Sequence, residues 1–312
     1  MDLAPIALFV YNRPWHTEQT LNALAANELA DESILYIYSD GPKNGASKGG
    51  IENIKKTREL IKKKKWCKEV FIIESEVNKG LANSVISGVT EVVNKHGKVI
   101  VLEDDLVTHP FFLIYMNKNL DIYEKNELVI SLHGYLYPVK RKIHQPFFLK
   151  GADCWGWATW KRGWDLFEYD SRLLLNKLLE RNLTREFDFN NSYGYTSLLR
   201  EQIKGTVDSW AIRWYASAFL SNKLTLYPPV SLVQNIGFDG SGTHKDHIDN
   251  NTGNIFKAEN FGIKEIALFE DRKIKKQIEI YFRGRNYYLR LIKKTLRHLC
   301  AFLIKKPQFH TI

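Results

Sequence analysis

Four short apolar runs, separated by segments of helical spacing, constrain this chain more than any other feature. They are "PIALFVYN" (5–12), "ILYIYSDGP" (34–42), "VFIIES" (70–75) and "VIVLEDD" (99–105). The first has no useful polar alternation, which marks a strand buried on both faces. "WHTEQTLNALAAN", "IENIKKTRELIKKKKW" and "GLANSVISGVTEVVNKHG" lie between them and read as helices. Thr17 is the expected N-cap of the first, and Gly97 closes the third. This β-α-β-α-β-α-β order predicts an α/β chain built on a mostly parallel, doubly wound sheet. In such sheets ligands bind outside the carboxyl ends of the strands. Asn12 and Arg13, Asp40 and Gly41, Glu76 to Leu81, and Glu103 to Asp105 all fall at those ends.

Glu103, Asp104 and Asp105 are three adjacent acids, and like charges side by side repel. The cluster is therefore expected to meet something positive. Hard oxygen ligands at a strand end suit a divalent cation, and Mg²⁺ or Mn²⁺ needs only one or two protein carboxylates when ligand phosphates complete the shell. A solvated acidic turn is the plain alternative. No GxGxxG or GxxxxGK[ST] follows the first strand, which disfavours both dinucleotide binding and P-loop chemistry. A nucleotide bound without such a loop needs its diphosphate neutralised in another way, and a metal at Glu103 to Asp105 would do so.

After Asp105 the pattern changes. "FFLIYMNKNLDIYEKN" reads as a helix and "LVISLHGY" as a strand. "GADCWGWATWKRGWDLF" (151–167) fits neither a regular strand nor an ordinary helix, and is either tight core packing or a floor on which sugars stack. Residues 170–205 look helical, "VDSWAIRWYASAFLSNK" is a helix with Asp208 near its start, "LTLYPPVSLVQNIG" is extended, and "FDGSGTHKDHIDNNTG" is a loop. There is no repeat and no low-complexity linker.

The segments "ALFVYNRP", "YIYSDGPK", "NKGLANSV", "VIVLEDDLVTHPFFLIYMN", "GWGWATW", "VDSWAIRW" and "GFDGSGTH" together resemble the GT-A glycosyltransferases. The likeness is greatest to N-acetylglucosaminyltransferase I and its bacterial family-2-like relatives in surface-polysaccharide synthesis, and it covers residues 5–245 in order. It implies a Rossmann-like GT-A catalytic domain over 1–270, with a nucleotide-binding half (1–107) and an acceptor and catalytic half (108–270). It also implies a metal-dependent, inverting sugar transfer from a nucleotide-sugar, a UDP-sugar in particular, to a glycan or lipid-linked acceptor. Asp105 then holds Mn²⁺ or Mg²⁺, while Glu103 and Asp104 contact donor ribose and sugar. Asp40 faces the uridine, Asn12 and Arg13 line the same pocket, and Lys79, Gly80 and Asn83 lie near the diphosphate. Asp208 is the catalytic base, and His244 sits in a loop over the donor. The chain has Val-Asp-Ser-Trp where the family has a Trp-Asp-Asp-Trp-like segment, so one acid is missing. That leaves an inactive nucleotide- or glycan-binding module as the alternative. Asp208 could also be a helix cap, and Asp153 is the reserve base.

The net charge of +10 is uneven. Arg283 to the C-terminus carries eight Lys/Arg and no acid, all but two of the net charges. Leu289, Ile292, Leu296, Leu299 and Leu303 recur there at 3-4-3-4 spacing, so 271–312 is expected to hold a basic amphipathic helical tail suited to an anionic membrane surface. Packing on its own domain or on a second copy of the chain is the other use of such a face. Nucleic-acid binding would need basic residues interleaved with aromatics across a folded face, and is not expected. Cys67, Cys154 and Cys300 are far apart, with no CxxC, which fits a reducing compartment. With no leader and no apolar run near 18 residues, the expected location is cytoplasmic, peripheral at the inner membrane face.

Overall fold

β1 (Ile6–Val10) is buried at every position, so it must lie in the middle of a sheet covered on both sides. The computed structural model describes residues 2–240 and 262–284 and places it there. β1 pairs in parallel with β2 (Ile34–Ser39) on one side and with β4 (Lys98–Glu103) on the other. β2 pairs in parallel with β3 (Glu69–Glu74). The order β3-β2-β1-β4 arises because the chain winds outward through α1 (Pro14–Ala25) and α2 (Lys48–Ile61), then crosses back over β1 through α3 (Leu81–His96). The reversal makes the gap between the carboxyl ends of β1 and β4 a topological switch point, where open α/β sheets bind ligands.

The second half continues with β5 (Leu106–Thr108), α4 (Phe112–Ile122), β6 (Val129–His133), β7 (Phe147–Lys150) and β8 (Trp157–Trp160). After α5 (Lys161–Trp164) come α6 (Ser171–Glu180), α7 (Thr184–Phe187), α8 (Tyr195–Ile203), α9 (Trp210–Leu220), β9 (Leu224–Tyr227) and β10 (Val233–Asn235). The eight-stranded sheet runs β3-β2-β1-β4-β8-β6-β9-β7, and four of its seven pairings are parallel. This is the doubly wound, mostly parallel α/β arrangement that the alternating runs imply. β5 and β10 form a separate antiparallel pair.

Strand alternation decides which helix covers which face. Ile6, Leu8, Ile100 and Leu102 point to the side covered by Leu21 and Leu24 of α1 and by α4. Ala7, Phe9, Val99 and Val101 point to the side covered by Val85, Val89 and Val92 of α3 and by Trp210 and Trp214 of α9. Each such side chain stabilises the fold by about 1.5–3 kcal/mol relative to exposure, so both faces specify the register.

Two local expectations change. The Trp-rich stretch contains a regular strand, β8, antiparallel to both β4 and β6. Its Trp-Ala-Thr-Trp pattern hides the period because both faces are buried and each carries one tryptophan, Trp157 on one and Trp160, with Ala158, on the other. Thr17 is not the cap of α1: Arg13 occupies the cap position and Pro14 opens the helix. Proline is favoured there because its missing N–H would have no partner in the first turn. Thr17 is buried inside the helix, its hydroxyl donating to the Arg13 carbonyl at 2.9 Å.

Residues 272–284 are helical, and Ile278 and Phe282 are fully buried in a third cluster with Phe147, Phe187, Tyr215 and Tyr227. The first part of the segment 271–312 thus packs on the body of the protein. The amphipathic run from Leu289 to Leu303 lies outside the described residues, as does His244. No helix among the described residues is long and apolar enough to cross a membrane.

Candidate active site

Phe9 of β1 stands in register with Glu103 of β4. The chain leaving β1 through Asn12 and Arg13 therefore passes beside the turn of Asp104 and Asp105. Arg13 meets the acids there, its Nη1 lying 3.0 Å from Asp105 Oδ2 and 3.5 Å from Asp104 Oδ1. The Arg13 backbone is held by its place at the start of α1, where its carbonyl accepts from the Thr17 amide at 3.0 Å. One turn later the Thr20 hydroxyl donates to the Asp104 carbonyl at 2.8 Å. The positive partner of the acid cluster is thus delivered by a helix start that is itself stitched to the acid turn.

One guanidinium does not neutralise three carboxylates. Enclosure by protein raises the pKa of Glu103 above the usual carboxylate range, with Asp105 and Asp104 adding to the rise and Arg13 opposing it. Asp104 is raised in the same way, by burial first and Asp105 second. An acid whose folded pKa exceeds its unfolded one holds its proton more tightly when folded. Its ionisation therefore removes stability as the pH rises towards the folded pKa, and below the unfolded pKa the loss is absent. Glu103→Gln, measured in EDTA without nucleotide, is accordingly expected to raise Tm at pH 8.5, on the order of 2 °C. That gain should shrink towards pH 5. A Tm difference independent of pH would contradict the assignment.

The Arg13 guanidinium also has an unused edge. Its Nε and Nη2 are buried with no hydrogen-bond partner among the described residues. Leaving such a donor unpaired costs about 1–3 kcal/mol, so an acceptor reaching this edge would stabilise the site. Gly237 closes over this pair. β10 runs antiparallel to β5, the Ile236 amide donates to the Asp105 carbonyl at 2.9 Å, and the Gly237 amide donates to Asn235 Oδ1 at 2.8 Å. A Cβ at Gly237 would stand 2.1 Å from Asp105 Oδ2 and 2.7 Å from Arg13 Nη2. Beyond it, Asp239 Oδ2 lies 3.0 Å from Nε2 of the buried His16. Phe238 packs edge-on against Trp155 at 5.6 Å.

Asp40, at the end of β2, is buried, and its carboxylate organises a neighbouring loop. Oδ1 accepts from the amides of Gly41 and Lys79, and Oδ2 accepts from the Gly80 amide and Asn78 Nδ2, at 2.8–3.0 Å. Gly80 takes φ +78° to start α3, a conformation glycine adopts at little cost. Asp40, Lys79, Gly80 and Asn83 are thus brought together as one loop assembly. A groove of about 690 Å³ runs along α3 from Lys79 and Asn83 to Asn94.

Asp208 lies just before α9, but Ser209 is the N-cap, its hydroxyl accepting from the Ile212 amide. The Asp208 side chain is 59% exposed and pairs with Arg213 Nη2 at 3.1 Å. The buried Arg213 lies 4.7 Å from the centre of the Tyr169 ring, and the Tyr169 hydroxyl donates to Asn83 Oδ1 at 3.3 Å. A chain of contacts therefore links Asp208 to the loop that Asp40 holds. Asp153 is engaged differently: it accepts from the hydroxyls of Tyr137 and Tyr227 and from the Cys154 amide. Asn12 is half-buried at the end of β1. Sequence reasoning missed Gly237 and Thr20, and read His16 as an ordinary structural or surface residue. The "GFDG" segment hints at a turn but not at what it covers.

Among the described residues no three His, Cys, Asp or Glu side chains converge into an all-protein metal cage. The donor set fits the other kind of site, in which one carboxylate is joined by ligand phosphates. Three adjacent carboxylates at the end of β4, with Arg13 meeting two of them, are the observation in its favour.

No family model matches the chain, and no curated protein matches it. Similar solved structures include Staphylococcus aureus TarS 1–349, at 10% identity and a TM-score of 0.41. That match covers 74% of this chain and 59% of the other, and for a longer TarS structure 36% of the other. The mannosyltransferase PcManGT from Pyrobaculum calidifontis, in complex with GDP-Man and Mn²⁺, matches at 10% identity over 71% of this chain and 72% of its own, with a TM-score of 0.37. A UDP-glucose pyrophosphorylase complexed with UDP-glucose matches at 11% identity over 53% and 79%, with a TM-score of 0.29. Likenesses this distant do not assign a chemistry to the chain.

Proposed function

We propose that the chain is a metal-dependent, inverting glycosyltransferase of GT-A type, moving a sugar from a UDP-sugar to a glycan or lipid-linked acceptor in bacterial surface-polysaccharide synthesis. The reading is carried by the switch-point site, where the half-paired Arg13 meets the acids of β4. Arg13 would bind the donor's diphosphate through its unpaired edge, with Lys79 and the Gly80 turn on the other side. Glu103 and Asp104 would orient ribose and sugar hydroxyls, Asp40 would hold the loop that faces the base, and Asn12 would line the same pocket. Mn²⁺ or Mg²⁺, when bound through Asp105, would supply Lewis-acid stabilisation of the leaving diphosphate.

In the transfer, an acceptor hydroxyl oxygen attacks the anomeric carbon and forms the new glycosidic bond. The bond from that carbon to the phosphate oxygen breaks, and its electron pair leaves with the nucleoside diphosphate. The hydroxyl proton passes to Asp208, whose carboxylate is held beside Arg213. The basic run near the C-terminus would keep the enzyme at an anionic membrane surface, where a lipid-linked acceptor resides.

The second reading, a binding module without turnover, draws on the exposure of Asp208 and its turn towards Arg213. One experiment separates the two. UDP with Mn²⁺ at 100 times its Kd is expected to stabilise the protein by about 2.7 kcal/mol, and EDTA should remove the shift. Asp208→Asn should keep that shift while lowering UDP release from a UDP-sugar and acceptor by about 100-fold or more. Stabilisation without turnover in the unmodified chain would favour the module. No stabilisation by any nucleoside diphosphate would defeat the transferase reading and leave only a glycan-binding module.

A further inference from the structure

Arg13 meets acids on one edge of its guanidinium, where Nη1 binds Asp105 and Asp104, and on the other Nε and Nη2 have no acceptor among the described residues. A guanidinium offers its donors as a planar fork that suits two oxygens of a phosphate. Its root is fixed, because Arg13 occupies the cap position of α1 and precedes Pro14, while the guanidinium lies at the end of a long rotatable side chain. A metal bound through Asp105 would need the carboxylate that Arg13 holds. Mg²⁺ binds oxygen at about 2.1 Å, which would set a doubly charged ion against the guanidinium already lying 3.0 Å from that oxygen. The two cations compete for one carboxylate.

We propose that Arg13 is a gate on the metal position: it holds Asp105 as a resident cation in the free protein, and releases it when a nucleotide diphosphate draws the guanidinium onto its own oxygens. The inference rests on the glycosyltransferase reading above and adds an order of assembly to it. The free protein takes up divalent metal weakly, and the diphosphate, alone or as its metal complex, opens the position. Arg13 is then a positioning residue for the metal as well as a direct ligand of the donor.

The test counts free Mn²⁺ by electron paramagnetic resonance during titration of the full chain, with no sugar donor present. Without nucleotide, Arg13→Gln is expected to bind Mn²⁺ at least about tenfold more tightly than the unmodified protein, because Asp105 has lost its competitor. Arg13→Lys should stay near the unmodified value, and Asp105→Asn combined with Arg13→Gln should lose the gain. The unmodified protein should itself bind Mn²⁺ at least about tenfold more tightly with UDP than without it, after subtraction of Mn²⁺ held by UDP in a protein-free control. That arm needs no variant, so it decides even if Arg13→Gln does not fold. Equal Mn²⁺ affinity with and without UDP, or Arg13→Gln within twofold of the unmodified chain, would overturn the gate while leaving a metal site in place. Absence of Mn²⁺ binding in every arm, UDP included, would instead overturn the metal-dependent reading, and the gate with it.

Discussion

Gly237→Ala is expected to fold and yet to lose about 100-fold in sugar transfer, the scale on which a displacement of about 1 Å at a reacting centre acts. The glycine is not needed for an unusual backbone angle; it is needed for space. A methyl group there would stand 2.1 Å from Asp105 Oδ2 and 2.7 Å from Arg13 Nη2. Both atoms lie at side-chain ends, so the chain accommodates the methyl by moving them rather than by distorting the sheet. The movement breaks the alignment of the ion pair on which donor binding is proposed to depend. Steady-state turnover, read beside a thermal melt, checks this. A variant with unchanged turnover would show that the 235–239 segment does not press on the site. A variant that fails to fold would show that the segment is structural first.

Trp157→Ala is expected to destabilise the fold by about 3–5 kcal/mol, the range for removing a buried large aromatic side chain. Trp157 is fully buried on β8, the strand that joins the parallel half of the sheet to the second half. Its ring stacks on Trp210 of α9 at 5.3 Å and meets Trp164 and Trp214 at 5.7 Å. Removing it would empty the contact between the sheet and the helix that carries Asp208 at its start. Trp157→Phe should cost much less, because the indole N–H is buried without a partner among the described residues and its loss removes that penalty. Urea melts of the two variants provide the comparison. Equal losses would mean that the indole N–H contributes after all, and a small loss for alanine would mean that the tryptophan cluster is not the joint between the halves.

The parallel half of the fold was legible because its information is local. Buried strands announce themselves as apolar runs, and Gly97, at φ +77°, closes α3 where a glycine was expected. The three acids at the end of β4 were legible for the same reason, and so was the need for a positive partner. β8 was less so, since it is only four residues long and a buried threonine interrupts its apolar run. The cap of α1 was misplaced because threonine is a good cap in isolation, whereas Pro14 and Arg13 decide the start of this helix.

The sequence by itself determined the order of strands and helices, the burial of the central strands and the placing of polar residues at their carboxyl ends. All of these follow from side-chain period and from turn chemistry within a few residues. Only the tertiary structure decided what those polar residues do. Arg13 and Asp105 are 92 residues apart in the chain, and they meet because the crossover through α3 sets β4 beside β1. Asp40 faces the 78–80 loop rather than open solvent for a similar reason, since parallel pairing of β2 with β3 brings that loop within reach. Gly237 is needed only because β10 folds back over Asp105. Distance along the chain carries no signal of such approaches, because they depend on how elements stack and not on what any one of them prefers.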